Sequence, residues 1–136
     1  MLIAAAFMNI LHAQKLDASR VPTAVKNSFS TKYPGIENVN WEKENGQFEA
    51  SYKKDGHSMS AMFKADGTFT ESEEDIQLSE LPAAAAQYMK EHYKGSEIKE
   101  ASKITKANGA VNYEAAIKGK DIIFDAHGQF IKEVKD

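Results

Sequence analysis

Apolar positions along this chain follow two periods, and the switch from one to the other happens twice. Val21, Ala24, Val25, Ser28, Phe29 and Tyr33 recur at the three- and four-residue spacing that lines one face of a helix, and Leu81, Ala84, Ala85, Tyr88, Met89 and Tyr93 repeat it. Pro22 and Pro82 stand where the first helical turn does not need the N–H that proline lacks, and Gly35 and Gly95 suit the left-handed conformation that ends a helix. The pattern predicts an amphipathic helix at the head of each of two units.

Period-two segments follow each helix, divided by turn dipeptides. Asn45-Gly46 and Asp55-Gly56 read as two-residue hairpin loops. The first pairs Val39 with Tyr52, Trp41 with Ala50 and Lys43 with Phe48; the second pairs Tyr52 with Met59, Ala50 with Ala61 and Phe48 with Phe63, which continues one largely apolar face. A two-residue Asp66-Gly67 loop would turn Phe69 to the wrong side. A three-residue loop of Ala65, Asp66 and Gly67, with glycine as the left-handed bulge residue, pairs Phe63 with Phe69. In the second unit Asn108-Gly109 is expected to pair Ile104 with Tyr113. Lys118-Gly119 pairs Tyr113 with Phe124 and Ala115 with Ile122, and the loop of Ala126, His127 and Gly128 pairs Phe124 with Phe130.

The two units align. Val21-Pro22 and Tyr33-Pro34-Gly35 recur sixty residues on as Leu81-Pro82 and Tyr93-Lys94-Gly95; Asn45-Gly46 and the Phe63–Phe69 turn recur at offsets of 63 and 61. Offsets that drift only at loops mark a duplicated fold. The fold class expected is α+β: two tandem α-β-β-β-β units, antiparallel meander sheets with the helices packed on one face. Residues 14–76 form the first unit and 77–136 the second, the two making one compact domain. The connection at 75–80 is too short for a free tether, so the sheets are expected to join or abut.

Ahead of the units, Leu2 to Leu11 is apolar apart from Asn9. It is too short to span a bilayer and fits the apolar region of a secretory signal, with residues 1–13 as the signal peptide and Ala13 as the last residue before cleavage. The basic stretch that usually precedes such a region is missing, so the signal reads as truncated at its start. A short buried helix or strand is the alternative. No cysteine follows the run to carry a lipid.

Composition narrows the chemistry. The 136 residues have no cysteine, which removes disulfides, thiol catalysis and thiolate metal sites together, and a formal charge of −3 without a basic stripe argues against nucleic acid. His57 and His127 fall at turns and His92 on a helix, none in a metal-ligand spacing. The acidic run Glu71, Glu73, Glu74 and Asp75 lacks calcium-loop spacing and reads as a solvated strand end. No serine lies in a nucleophile elbow and no glycine-rich phosphate loop is present. Trp41, by register, belongs to the core. No enzyme activity, cofactor or metal is expected.

The opposite face of the sheet, with Glu49, Ser51, Ser60, Lys64 and Thr68, should be solvated. Two places break its polar pattern: the bulged register sets Ile123 opposite Ile131, and Met62 and Thr70 hold the matching positions in the first unit. These four residues are the candidate protein-binding spots.

The Val/Leu-Pro helices ending in Tyr33-Pro34-Gly35 or Tyr93-Lys94-Gly95, the strand bearing Trp41, and the Asp66-Gly67-Thr68-Phe69 turn together resemble the PepSY-like family with the beta-lactamase-inhibitor-like fold, over about residues 20–136. Lys94 in place of proline, and Ile104 at the register of Trp41, are departures. The resemblance implies a periplasmic or secreted, non-enzymatic protein that binds or inhibits other proteins. Expected, then, is an exported protein-binding module, acting on a protease or other hydrolase through the open sheet face. A small-ligand or metal-binding periplasmic sensor is the alternative. The partner would be a protein of the cell envelope, with no nucleic acid and no integral membrane segment, and the chain a monomer or an edge-strand dimer.

Overall fold

The computed structural model describes residues 14–135, so the signal-peptide reading of residues 1–13 lies outside the described residues. Strand β1 (Gln14–Leu16) leads through a 3-10 turn at Ala18–Arg20 into helix α1 (Thr23–Lys32). Four strands follow: β2 (Asn40–Glu44), β3 (Gln47–Lys54), β4 (His57–Phe63) and β5 (Phe69–Ile76). A second 3-10 turn at Leu78–Glu80 introduces α2 (Ala83–His92), which is followed by β6 (Glu100–Lys106), β7 (Val111–Ile117), β8 (Lys120–Asp125) and β9 (Phe130–Lys135).

The nine strands of the described residues make one antiparallel sheet in chain order, joined at its middle where β5 pairs with β6 from Glu71↔Lys106 to Ile76↔Ala101. The helix-then-four-strands order expected for each unit is present. Strand β1 is an addition that the hydrophobic pattern did not announce; three residues carry too little periodicity, and only Leu16, opposite Trp41, reaches the core.

Both helices pack on the same side. Beneath α1, Phe29 meets Trp41 and Tyr52 edge-on at 5.6 and 5.3 Å and Phe63 at 6.3 Å. Beneath α2, Met89 and Ala85 cover Ala115, Ile122 and Phe124, while Tyr88 lies edge-on to Phe124 at 5.7 Å and stacks on Phe130 at 4.9 Å. Phe63 and Phe124 are wholly buried in the two clusters.

Three of the six turns expected within the units, at Asn45-Gly46, Asp55-Gly56 and Lys118-Gly119, have the register that the sequence implies. At Asn45-Gly46 and Asp55-Gly56 all four residues have positive φ, as a type I′ turn requires. The bulges at the third turns set Phe63 against Phe69 and Phe124 against Phe130.

Beyond the bulges the structure corrects the expected pairing: Met62 faces Glu71 and Ile123 faces Lys132, leaving Thr70 and Ile131 as the extra residues of the two bulges. A second correction concerns Asn108-Gly109. Ile104 pairs with Asn112, and Lys103 takes the place opposite Tyr113, because the loop has three residues, Ala107 to Gly109. Lys106 N–H donates to Ala110 O and Gly109 N–H to Lys106 O, the same pattern that closes the turns at Gly67 and Gly128. Asn108 Oδ1 accepts from Ala110 N–H, and the longer loop frees Ala107 N–H to donate to Thr70 O across the junction of the two halves. Ile104 therefore stands on the face away from the helices, and the position equivalent to Trp41 is not filled by it.

Candidate functional site

Pairing register assigns each residue of the open face. One row across the strands reads Glu42, Glu49, Met62, Glu71 and Lys106; the next reads Asn40, Ser51, Ser60, Glu73 and Ile104. A third brings together Asp75, Ser102, Glu114, Ile123 and Lys132, and a fourth Glu100, Ala116, Asp121 and Val134. Carboxylates occupy the centre of the face, and the lysines Lys15, Lys53, Lys106 and Lys132 stand toward its margins.

Ile104, Glu114 and Ile123 on this face are all nearly inaccessible, although neither helix covers it. The sheet is therefore curled with the open face inside, which the two bulges favour by increasing local twist.

Curling changes the expectation of a solvated face. Met62 is 3% exposed and Ile123 2%, so they form its floor, and Glu49 and Ser51 are buried as well; only Lys64 and Thr68 are exposed as expected, with Ser60 between. Thr70 is half-buried, donating from Oγ1 to Gln47 Oε1 at 3.0 Å with the Met62 carbonyl at 3.1 Å. Ile131 alone of the four candidate residues is exposed, at 47%, beside exposed Phe130. The four candidates thus do not form one adhesive surface.

The acidic run read as a solvated strand end lies within β5, and Glu73 is only 4% exposed. Neither of its carboxylate oxygens, nor Ser102 Oγ on the neighbouring strand, completes a hydrogen bond among the described residues. Burial, reinforced by Glu114, holds Glu73 well above the usual carboxylate range. Burial also raises Glu49 to about 7, with Glu42 and Glu44 adding to the effect. Glu71 is raised to about 7 by burial against the pull of Lys106 and Lys132, and Asp75 to about 6 by burial and then Glu100. A cleft of about 580 Å³ opens where this face meets residues 35–38, lined by Ser51, Ser58, Ser60, Glu73 and Asp75 among others.

The histidines stay apart. His57 Nδ1 is 3.4 Å from Asp75 O and 4.0 Å from Glu74 Oε1, His92 stacks on Tyr88 at 4.0 Å, and His127 is exposed in its turn. Among the described residues no three His, Asp or Glu side chains are grouped to hold a metal ion, and no helix is long and apolar enough to cross a membrane. Sequence reasoning missed the carboxylate cluster, although strict alternation in Glu71, Glu73 and Asp75 was a signal for it; what hid it was the extra residue Thr70 at the β4–β5 bulge, which turns these three from the helix side to the open face.

An open antiparallel sheet backed on one side by two helices is an α+β architecture of the beta-lactamase-inhibitor-like kind. The family described as “Putative beta-lactamase-inhibitor-like, PepSY-like” matches residues 5–60 and 48–132, and the chain belongs to it. Among solved structures, a BLIP-like protein from Bacteroides fragilis is 19% identical with a TM-score of 0.68, over 84% of this chain and 86% of that one. A DUF2874 family protein from Bacteroides uniformis is 16% identical with a TM-score of 0.75, over 84% and 88%. A third structure, from Bacteroides eggerthii and described with “putative periplasmic proteins”, is 15% identical with a TM-score of 0.73, over 85% and 88%. At these identities the likeness is one of fold. No curated protein matches the chain.

Proposed function

We propose that the chain is an exported, non-catalytic protein-binding module of the cell envelope that engages its partner through the inside of the curled sheet. The observation that carries this reading is the placement of both helices on one side, so that neither covers the other face. The family description points to inhibition of a hydrolase as the form of action, and the periplasmic description of the relative from Bacteroides eggerthii to an exported location. The edge strand β9 carries Lys132, Glu133 and Lys135, charges that deter edge-to-edge pairing and favour a monomer.

The test is affinity capture from envelope extract with the full chain, followed by mass spectrometry. Ser60→Arg places a long side chain in the middle of the face without entering the helix-side core and should abolish capture while the melting temperature holds; undiminished capture rejects the surface. Ile131→Lys asks separately whether the exposed bulge contributes. A protease or other hydrolase among the captured proteins supports inhibition, and its undiminished activity in the complex rejects it.

The cleft at Ser51, Ser60 and Glu73 favours a second reading, a small-ligand or metal-binding sensor of the periplasm. Ligand binding to the native state alone must raise its stability. A screen of metabolites and divalent ions that raises the melting temperature supports it, and one without a shift rejects it.

A further inference from the structure

We infer that the inside of the sheet receives a lysine- or arginine-rich protein surface, whose cationic side chains enter the carboxylate rows around Glu71, Glu73 and Asp75. This rests on the open-face reading above and specifies the chemistry of the partner. Three observations carry it. Register gathers Glu49, Glu71, Glu73, Asp75, Glu114 and Asp121 on one face. Lys106 stands opposite Glu71, but no lysine is paired directly with Glu73 or Asp75, so the middle is rich in acidic groups that have no cation opposite them. At the centre, Glu73 is buried beside the Ser102 hydroxyl, neither of its oxygens reaches full hydrogen-bond geometry among the described residues, and it lines a cleft that a side chain can enter.

A buried carboxyl without a partner is costly whether it stays neutral or ionises, and an incoming ammonium or guanidinium supplies both the charge and the donors that it lacks. Neighbouring carboxylates repel one another in the free protein, and that repulsion is relieved when cations are inserted between them. Ser51, Ser58 and Ser60 add hydroxyls that can accept from the same donors. An anionic or purely apolar partner would bury these groups unmatched, so the face selects against it.

The test titrates the full chain with fluorescein-labelled decalysine, with decaglutamate and with calcium chloride, at several salt concentrations. Decalysine should bind, more weakly as salt rises, and decaglutamate should not. The triple variant Glu71→Gln, Glu73→Gln, Asp75→Asn should lose about tenfold in affinity, the order expected for removing three charges from a shared site. A control triple that removes equal charge elsewhere, Glu74→Gln, Glu91→Gln, Glu97→Gln, should lose less than half as much. Equal losses in the two triples, no decalysine binding, or calcium displacing decalysine at equal charge concentration would each overturn the inference. Capture of the envelope partner separates this from the broader reading: capture lost in Ser60→Arg but intact in the acidic triple overturns the cationic chemistry alone, whereas capture intact in both overturns the surface itself.

Discussion

A Cβ built on Gly67 would stand 2.8 Å from the carbonyl oxygen of Ala24, so the tip of the β4–β5 turn lies directly against the first turn of α1. The second half repeats the contact, with a Cβ on Gly128 2.8 Å from Ala85 N and 2.9 Å from Pro82 Cβ. Each bulged turn thus serves two ends. It brings the second phenylalanine onto the covered side, and it seats the helix on the sheet.

These two glycines are constrained by both conformation and space, with φ of +92° and +86°. Gly67→Ala and Gly128→Ala should each lower stability by about 2–4 kcal/mol, combining left-handed strain with overpacking against backbone. Gly46, at φ +77° with nothing within 4 Å of its Cβ, is the comparison. Gly46→Ala should cost only the conformational part, about 1–2 kcal/mol. Urea unfolding of the three variants reads the difference, and equal losses would show that the turns do not press on the helices.

Phe63 and Phe124 carry the helix-side core. Truncation of either to alanine should cost about 3–5 kcal/mol, as for buried aromatic residues generally. Ile131→Ala, at a half-exposed bulge, should stay within about 0.5 kcal/mol of the parent. Denaturant midpoints test both statements.

Carboxyls inside the curl give stability a definite pH trend. Glu49 and Glu71 near 7, Asp75 near 6 and a strongly raised Glu73 all hold protons more tightly in the folded chain than in the unfolded one. Their contribution is fully present below the ordinary carboxylate pKa of about 4 and is lost as pH rises through 6 and 7. Melting temperature should therefore be higher at pH 5 than at pH 7.5. Glu73→Gln, which keeps the shape and removes the ionisation, should raise the pH 7.5 value and flatten the slope; a melting temperature that climbs with pH would contradict the burial of these groups.

How much of this was legible in the sequence depended on the turns. Asn45-Gly46 and Asp55-Gly56 need positive φ at both positions, which fixes a two-residue loop and hence the side on which Trp41, Phe48 and Tyr52 lie. Asn108-Gly109 spells the same dipeptide but closes a three-residue loop, because Asn108 caps Ala110 and Ala107 joins the neighbouring strand. Local chemistry permits both loops, and only the contact with Thr70 across the sheet decides. Alternation alone identified the open face, yet its curl, and with it the burial of Met62, Ile123 and Glu73, arises from bulges and long-range strand order that no short window contains. The candidate spots at Met62 and Ile123 were read as exposed for that reason.

Carbodiimide labelling of the full chain, free and bound to the protein that it captures, compares the two sides of the sheet most directly. Glu71, Asp75 and Glu100 on the open face should be shielded in the complex, while Glu91 on α2 and Glu74 on the helix side of β5 keep their free reactivity. Shielding of Glu91 and Glu74 with unchanged labelling of Glu71, Asp75 and Glu100 would place the partner on the helices and contradict binding through the curled sheet.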